Sequence, residues 1–251
     1  MSPDEQLLLD FDWQATCTLA NFAVGRDNRK VIDAIQAIHH ANYTSLTLVG
    51  DHGTGKTHLL QAVVRAHQLN SGLETANYLD LVSGSETRNL IEQQHQPDEE
   101  EGWLSHLLAE RASCRLVAVD NLEQLQHTPV WQEGILYLFN QLRTTGGHLL
   151  CASQMPLQHL TSVLRSDLGS RLLWGAEMNL EPPAEQELLT ILHKMIEDRQ
   201  IRVETGLPQF LWLRLPRHVH EYTRALDQLD RVALRDQRPL TIHLAKEVLH
   251  L

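Results

Sequence analysis

The run Gly50-Asp51-His52-Gly53-Thr54-Gly55-Lys56-Thr57 has the residue types and spacing that bind phosphate. Glycines remove the Cβ atoms that would keep backbone N–H groups from wrapping an anion, and a helix starting at Lys56 adds the positive end of its dipole. Lys56 can then reach the outer phosphates, and Thr57 can offer a hydroxyl to Mg²⁺. Such a loop works only between a strand and a helix. Leu46-Thr47-Leu48-Val49 reads as the strand, and the stretch from about Lys56 to Leu69 as the helix. A second segment, Leu116-Val117-Ala118-Val119-Asp120, is an apolar strand ending in a carboxylate that can hold Mg²⁺ directly or through water. The residue after it is Asn121. An amide cannot take a proton from an attacking water, so weak intrinsic hydrolysis is expected, with nearby Glu123 leaving the question open.

These segments need a scaffold, and the sequence alternates accordingly. Val31, Ile32, Ala34, Ile35 and Ile38 recur at helical spacing, predicting a helix over 31–39. Ala76-Asn77-Tyr78-Leu79 reads as a strand, followed by a polar stretch with the solvated acidic run Asp98 to Glu101. Beyond Asp120 come a helix around Trp131 to Leu142, a turn at Gly146-Gly147 and the strand His148 to Ser153. Strand alternating with helix predicts an α/β fold, a parallel sheet with helices on both faces. After Pro182-Pro183 only helical periodicity remains, as in Leu188, Leu189, Ile191, Leu192 and Met195 and again around Leu226, Leu229 and Leu234. There is no internal repeat, heptad run or low-complexity segment.

Composition narrows the function classes. The 251 residues carry a formal charge of −11, which disfavours duplex DNA binding by the chain as a whole, since phosphate contacts need clustered Lys and Arg. DNA is therefore expected only indirectly, and protein partners are favoured. No apolar run approaches the roughly 18 residues of a membrane span, and no secretory signal is visible, so a cytoplasmic location is expected. Cys17, Cys114 and Cys151 lack CxxC spacing and read as packing residues. The 15 histidines form no HExxH motif and read as surface or core residues.

Several segments carry a resemblance. Thr18-Leu19-Ala20-Asn21-Phe22, then Val24-Gly25-Arg26-Asp27-Asn28, the continuation of the loop as His58-Leu59-Leu60, and Asp120-Asn121 resemble the DnaA family of bacterial AAA+ replication initiators. Ser170-Arg171-Leu172-Leu173-Trp174-Gly175, Leu226 to Arg231, Pro239 to Ile242 and Lys246 to Leu249 are similar to its Hda branch of regulators. The resemblance spans essentially the whole chain. It implies a flexible tail over 1–12, an AAA+ P-loop NTPase core over 13–181, and a small all-α lid over 182–251. An initiator would carry a further basic helix-turn-helix domain, whereas this sequence stops at Leu251, so a regulator is expected.

Carried over residue by residue, the resemblance makes Val24 and Asn28 contacts for the nucleotide base. It assigns Gly50, Asp51, His52, Gly53, Thr54, Gly55, Lys56 and Thr57, with His58 following, to an adenine nucleotide. Thr57 and Asp120 fall to Mg²⁺, and Arg171 becomes an arginine finger offered in trans. At the two sensor positions this sequence departs from the family. Gln154 stands where Hda-like chains have an acid, and His220 stands where a lid arginine is expected, with Arg217 and Arg224 one turn either side. A neutral imidazole does not offset triphosphate charge as a guanidinium does, so ADP is expected to be favoured over ATP.

Gln6-Leu7-Leu8-Leu9-Asp10-Phe11 resembles the short motif with which bacterial proteins dock on the DNA polymerase sliding clamp, apolar anchors being buried while Gln6 orients the peptide. The function implied is a regulatory inactivator of DnaA that links it to the clamp and stimulates hydrolysis of DnaA-bound ATP. The alternatives are a self-sufficient AAA+ ATPase, such as a clamp-loader-like subunit, and an adaptor whose lid binds single-stranded DNA. Self-association is left open.

Overall fold

The computed structural model describes residues 17–19, 22, 28–72, 75–81, 111, 113–199 and 202–251. Among these residues the sheet has five parallel strands, β1 (Ser45–Val49), β2 (Ala76–Asp80), β3 (Leu116–Asp120), β4 (His148–Ser153) and β5 (Ala176–Asn179), in the order β2-β3-β4-β1-β5. The period of two along each strand decides which face a side chain meets. Val117, Val119, Leu149 and Cys151 enter one core, while Leu46, Leu48, Leu116, Ala118, Leu150 and Ala152 enter the other.

Each face is covered by helices. On the first lie α3 (Pro129–Thr145), α4 (Leu157–Val163) and α5 (Ser166–Leu173), contributing Ile135, Leu138, Phe139, Leu160, Leu168 and Leu172. On the second lie α1 (Arg29–Gln36) and α2 (Lys56–Ser71), contributing Val31, Ile35, Leu59, Leu60 and Val63. Every residue of β1, β3 and β4 is buried, and at about 1.5–3 kcal/mol for each fully buried branched side chain these strands cannot fray cheaply. Their C-terminal ends are therefore rigid mounts.

Two elements differ from the sequence expectation. The helix predicted over 31–39 ends at Gln36, and Ile38–His40 forms a 3₁₀ turn whose tighter winding keeps Ile38, 1% exposed, in the core with Val31 and Ile35. The edge strand β5 carries no apolar run, because only half of its residues face the protein interior; its register on β1 places Leu46 opposite Ala176 and Val49 opposite Asn179.

The C-terminal helices α6 (Glu185–Asp198), α7 (Leu207–Arg214), α8 (Val219–Asp236) and α9 (Ile242–Leu249) form a core of their own around Leu188, Leu192, Leu211, Tyr222, Leu226 and Leu244. Arg199 donates to Asp227 at 3.0 Å and ties the end of α6 to α8. Burial pushes the Asp227 carboxyl up from its ordinary value and the Arg199 guanidinium opposes it. At the N-terminal edge of the sheet, His39 lies 4.8 Å from His67 and 5.6 Å from His148, ring centre to ring centre. Among the described residues no helix is long and apolar enough to cross a membrane.

Candidate nucleotide site

The strand order decides what can meet. With β4 inserted between β1 and β3, the loop after β1, the end of β4 and Asp120 at the end of β3 share one edge of the sheet. Leu46-Thr47-Leu48-Val49 and the helix from Lys56 are the strand and helix expected of a phosphate loop, and Gly50–Thr57 lies between them. Gly53 and Gly55 have φ of +80° and +98°, a region that side chains rarely adopt. A Cβ on Gly53 would meet nothing within 4 Å, so its backbone is open to a ligand, whereas one on Gly55 would stand 2.7 Å from the Phe22 ring.

Inside this loop the polar groups converge. Lys56, 8% exposed, donates to the Gly50 carbonyl at 2.6 Å and the Asp51 carbonyl at 2.9 Å, and Thr54 donates to the Asp51 carbonyl at 3.0 Å. The Thr57 hydroxyl donates to Asp120 Oδ2 at 2.6 Å, and Tyr78 donates to the same oxygen at 3.0 Å. Burial pushes Asp120 up from its ordinary value; the bonds from Thr57 and Tyr78 hold it down, and the charge of Asp80 pushes it further up. Burial likewise lowers Lys56, against the charges of Asp120, Glu123 and Asp51. A lysine and a carboxylate that are both desolvated fit a polyphosphate with a divalent cation, since each charge would gain a partner. Among the described residues no cluster of three or more His, Cys, Asp or Glu could hold a metal by itself, so a cation here would lean on Thr57, Asp120 and the nucleotide.

Besides lacking the basicity of a carboxylate, Asn121 has a structural role. It sits at φ +60°, in the left-handed region that Asn tolerates better than most residues. Its N–H donates to Asp120 Oδ1 at 2.9 Å and its Nδ2 to Asp80 Oδ1 at 2.8 Å. An acid here would set a third carboxylate against Asp80 and Asp120. The partner Asp80 lies 41 residues away in sequence, which is why no local pattern shows it. Glu123, 9% exposed, accepts from the Gln154 N–H at 3.2 Å and so links the ends of β3 and β4, while the Gln154 side chain is exposed.

The remaining expected residues fall in different places. Asn28 is buried and bonds the Glu181 backbone twice, donating to its carbonyl and accepting from its N–H, each at 3.0 Å. His58 contacts the Thr18 carbonyl at 3.0 Å and the Phe22 ring at 5.7 Å, and burial lowers its pKa. His220, at the start of α8, stands edge-on to His52 of the phosphate loop at 5.2 Å, which brings the lid onto the loop. Arg217 pairs with Glu185 and covers the Trp212 ring, and Arg224 lines a lid groove with Gln228 and Arg231. Arg171 lies away from the loop, in the last turn of α5, over the Trp174 ring. Val24 and the tail residues Gln6, Leu7, Leu8, Leu9 and Phe11 lie outside the described residues.

Comparison with known proteins agrees with this geometry. Residues 13–179 match the family described as the bacterial DnaA ATPase domain, and residues 185–249 match the one described as the Hda lid domain. An uncharacterized protein of Haemophilus influenzae is 29% identical over 253 residues, spanning 99% of this chain and 100% of that one. Domain III of the Thermotoga maritima replication initiation protein DnaA superposes with a TM-score of 0.75 at 24% identity, covering 93% of this chain and 95% of that one. AMPPCP-bound DnaA from Aquifex aeolicus gives a TM-score of 0.64 at 20% identity over 86% of this chain and 65% of that one. At those identities the structures establish the fold alone, whereas the family matches together cover most of the sequence. The chain is therefore an AAA+ protein of the bacterial DnaA ATPase family that carries a lid of the Hda type.

Proposed function

We propose that this chain is a nucleotide-bound regulator that offers Arg171 to ATP held by DnaA, is tethered to the polymerase sliding clamp through residues 6–11, and so inactivates the initiator after replication has begun. Family membership makes it a DnaA-related regulator of replication initiation. Within it we assign a tail over 1–12, a nucleotide-binding core over 13–181 and a lid over 182–251, at work in the cytoplasm.

In its own site the chain's residues bind and do not attack. The loop N–H groups and Lys56 would hold the phosphates, and Thr57 and Asp120 would share Mg²⁺, which when bound spreads the phosphate charge. Adenine nucleotide is the ligand, with ADP favoured over ATP because His220 brings an imidazole, where the family expects a guanidinium, to the loop. Asn121, bonded to Asp80 and Asp120, takes no proton from water.

The observation that carries the reading is the placement of Arg171. It is half-buried at the end of α5, away from the phosphate loop, and unpaired with any carboxylate among the described residues. A guanidinium delivered by a neighbour stabilises the charge spread over a transferring phosphoryl group more than it stabilises the ground state. The test is single-turnover hydrolysis of labelled ATP preloaded on DnaA, with clamp-loaded DNA and this chain in excess. Stimulation by the wild type that disappears with Arg171→Ala is expected. Equal stimulation by both would overturn the assignment.

A further inference from the structure

The end of α5 holds a cluster that the nucleotide site does not use. Trp174, which caps the helix, and Leu173 leave 54% and 53% of their surfaces exposed. The Arg171 guanidinium carbon lies 4.1 Å from the Trp174 ring centre, and that of Arg143, from the last turn of α3, lies 5.0 Å from it. Both fall within the roughly 6 Å over which an aromatic face attracts a cation. Neither guanidinium is paired with a carboxylate among the described residues, in a chain whose net charge is −11.

The backbone that carries the ring is well held. The Trp174 backbone N–H donates to the Arg171 carbonyl at 3.2 Å, and that of the next residue, Gly175, donates to the Leu172 carbonyl at 3.0 Å. Gly175 also lies so close to the Ser45 carbonyl that any side chain there would collide with it, which pins the Trp174 backbone to the start of β1. An aromatic face presented from a backbone fixed in this way is a platform for a flexible side chain. An unsupported arginine samples many rotamers and must be ordered whenever it docks, and a stacked one has part of that ordering done beforehand.

We propose that Trp174 is the positioning residue for Arg171 and that Arg143 is a second cation of the same surface, the three receiving the anionic, nucleotide-bearing face of another P-loop subunit. The inference rests on the trans-acting role proposed for Arg171 and adds to it the side chains that aim the guanidinium and attract its target. Arg and Trp are the residue types that dominate binding energy in protein interfaces, and the negative charge of a bound polyphosphate complements two uncompensated guanidiniums.

The experiment follows DnaA-bound labelled ATP at increasing concentrations of the full-length chain, which separates the maximal rate from the half-saturating concentration. Trp174→Ala should lower the maximal rate about tenfold, and Trp174→Phe, which keeps an aromatic face, should stay within about threefold of wild type. Arg143→Ala should raise the half-saturating concentration severalfold and leave the maximal rate near wild type. A second arm needs no partner. The fluorescence owed to Trp174, taken as the difference between wild type and Trp174→Phe, should shift when the same difference is measured in the Arg171→Ala background. Stimulation by Trp174→Ala at the wild-type rate, equal losses in Trp174→Phe and Trp174→Ala, or an unshifted Trp174 emission would each overturn the platform. Absence of stimulation by the wild-type chain would overturn the trans-acting reading itself, an outcome that involves no substitution and is distinguishable on that ground.

Discussion

The loop end of the sheet and the end of α5 handle charge in opposite ways. At the loop, Lys56 and Asp120 are buried, and their neighbours absorb them: Lys56 donates to two backbone carbonyls, and Asp120 accepts from Thr57, Tyr78 and the Asn121 N–H. At the end of α5, Arg171, joined by Arg143 from α3, lies against an exposed aromatic face with no carboxylate partner among the described residues. A network satisfied from within suits binding that persists. An unpaired cation on a surface suits a charge that is met only when a partner arrives. On the proposed function, the difference separates a site for this chain's own nucleotide from a group that acts on another subunit's.

The sharpest way to break the comparison is Arg171→Ala. Loss of a finger supplied in trans is expected to cost roughly 10³ to 10⁵ in the partner's hydrolysis rate, about 4–7 kcal/mol of barrier, while folding and own-nucleotide affinity stay near wild type. Arg171→Lys should recover little, because a point charge does not reproduce the planar fork. Single-turnover kinetics on DnaA-bound ATP check both.

Next in size is the tail. Replacing Gln6, Leu8 and Phe11 together with Ala is expected to remove clamp binding, since two anchors at about 2 kcal/mol or more each exceed the margin of a short docking peptide. Surface plasmon resonance on immobilised clamp reads the loss, and nucleotide binding should be unchanged.

Lys56→Ala acts on the other side of the comparison. Loss of charge-assisted bonds worth about 1.5–3 kcal/mol is expected to weaken this chain's own nucleotide binding by roughly tenfold to a hundredfold, as read by calorimetry. A smaller effect concerns nucleotide choice. ADP is expected to bind at least as tightly as ATP, and ATP bound tenfold tighter, about 1.4 kcal/mol, would remove the argument from His220 and Asn121.

The smallest effect lies at the far edge of the sheet. Burial above all lowers the pKa values of His39, His67 and His148, helped by the charges of His40 and Arg115 at His39, of His39 and Arg115 at His67 and of His39 at His148, so the folded chain resists the protons that the unfolded chain accepts. Neutral above the ordinary histidine value of about 6.5, the three cost nothing there; as pH falls through that value stability is lost, until the folded-state histidines protonate as well. Thermal melts between pH 7.5 and 5.5 should show the decline, and His67→Gln should flatten it.

What the sequence made legible follows from physical range. Gly50–Thr57 and Leu116–Asp120 are local patterns, and both were readable because strand, loop and helix are contiguous in the chain. The alternation of strand with helix along the chain implied the parallel sheet for the same reason. β5 escaped because an edge strand half exposed to solvent has no apolar signature. The bond from Asn121 to Asp80, the contact of His52 with His220, and the three facing histidines join residues far apart in sequence, so only the folded chain displays them. The stacking of Arg171 on Trp174, three residues apart, was within local reach, but helical spacing alone does not say that both side chains turn outward.

The central claim is that catalysis occurs on the partner's nucleotide and not on this chain's own. It is tested most directly by preloading labelled ATP either on DnaA or on this chain, mixing each with the unlabelled partner and clamp-loaded DNA, and following release of labelled phosphate. Rapid release of label carried by DnaA, absent with Arg171→Ala, together with slow release of label carried by this chain, is the predicted result. Rapid release of the label carried by this chain, undiminished when DnaA is omitted, would contradict the account.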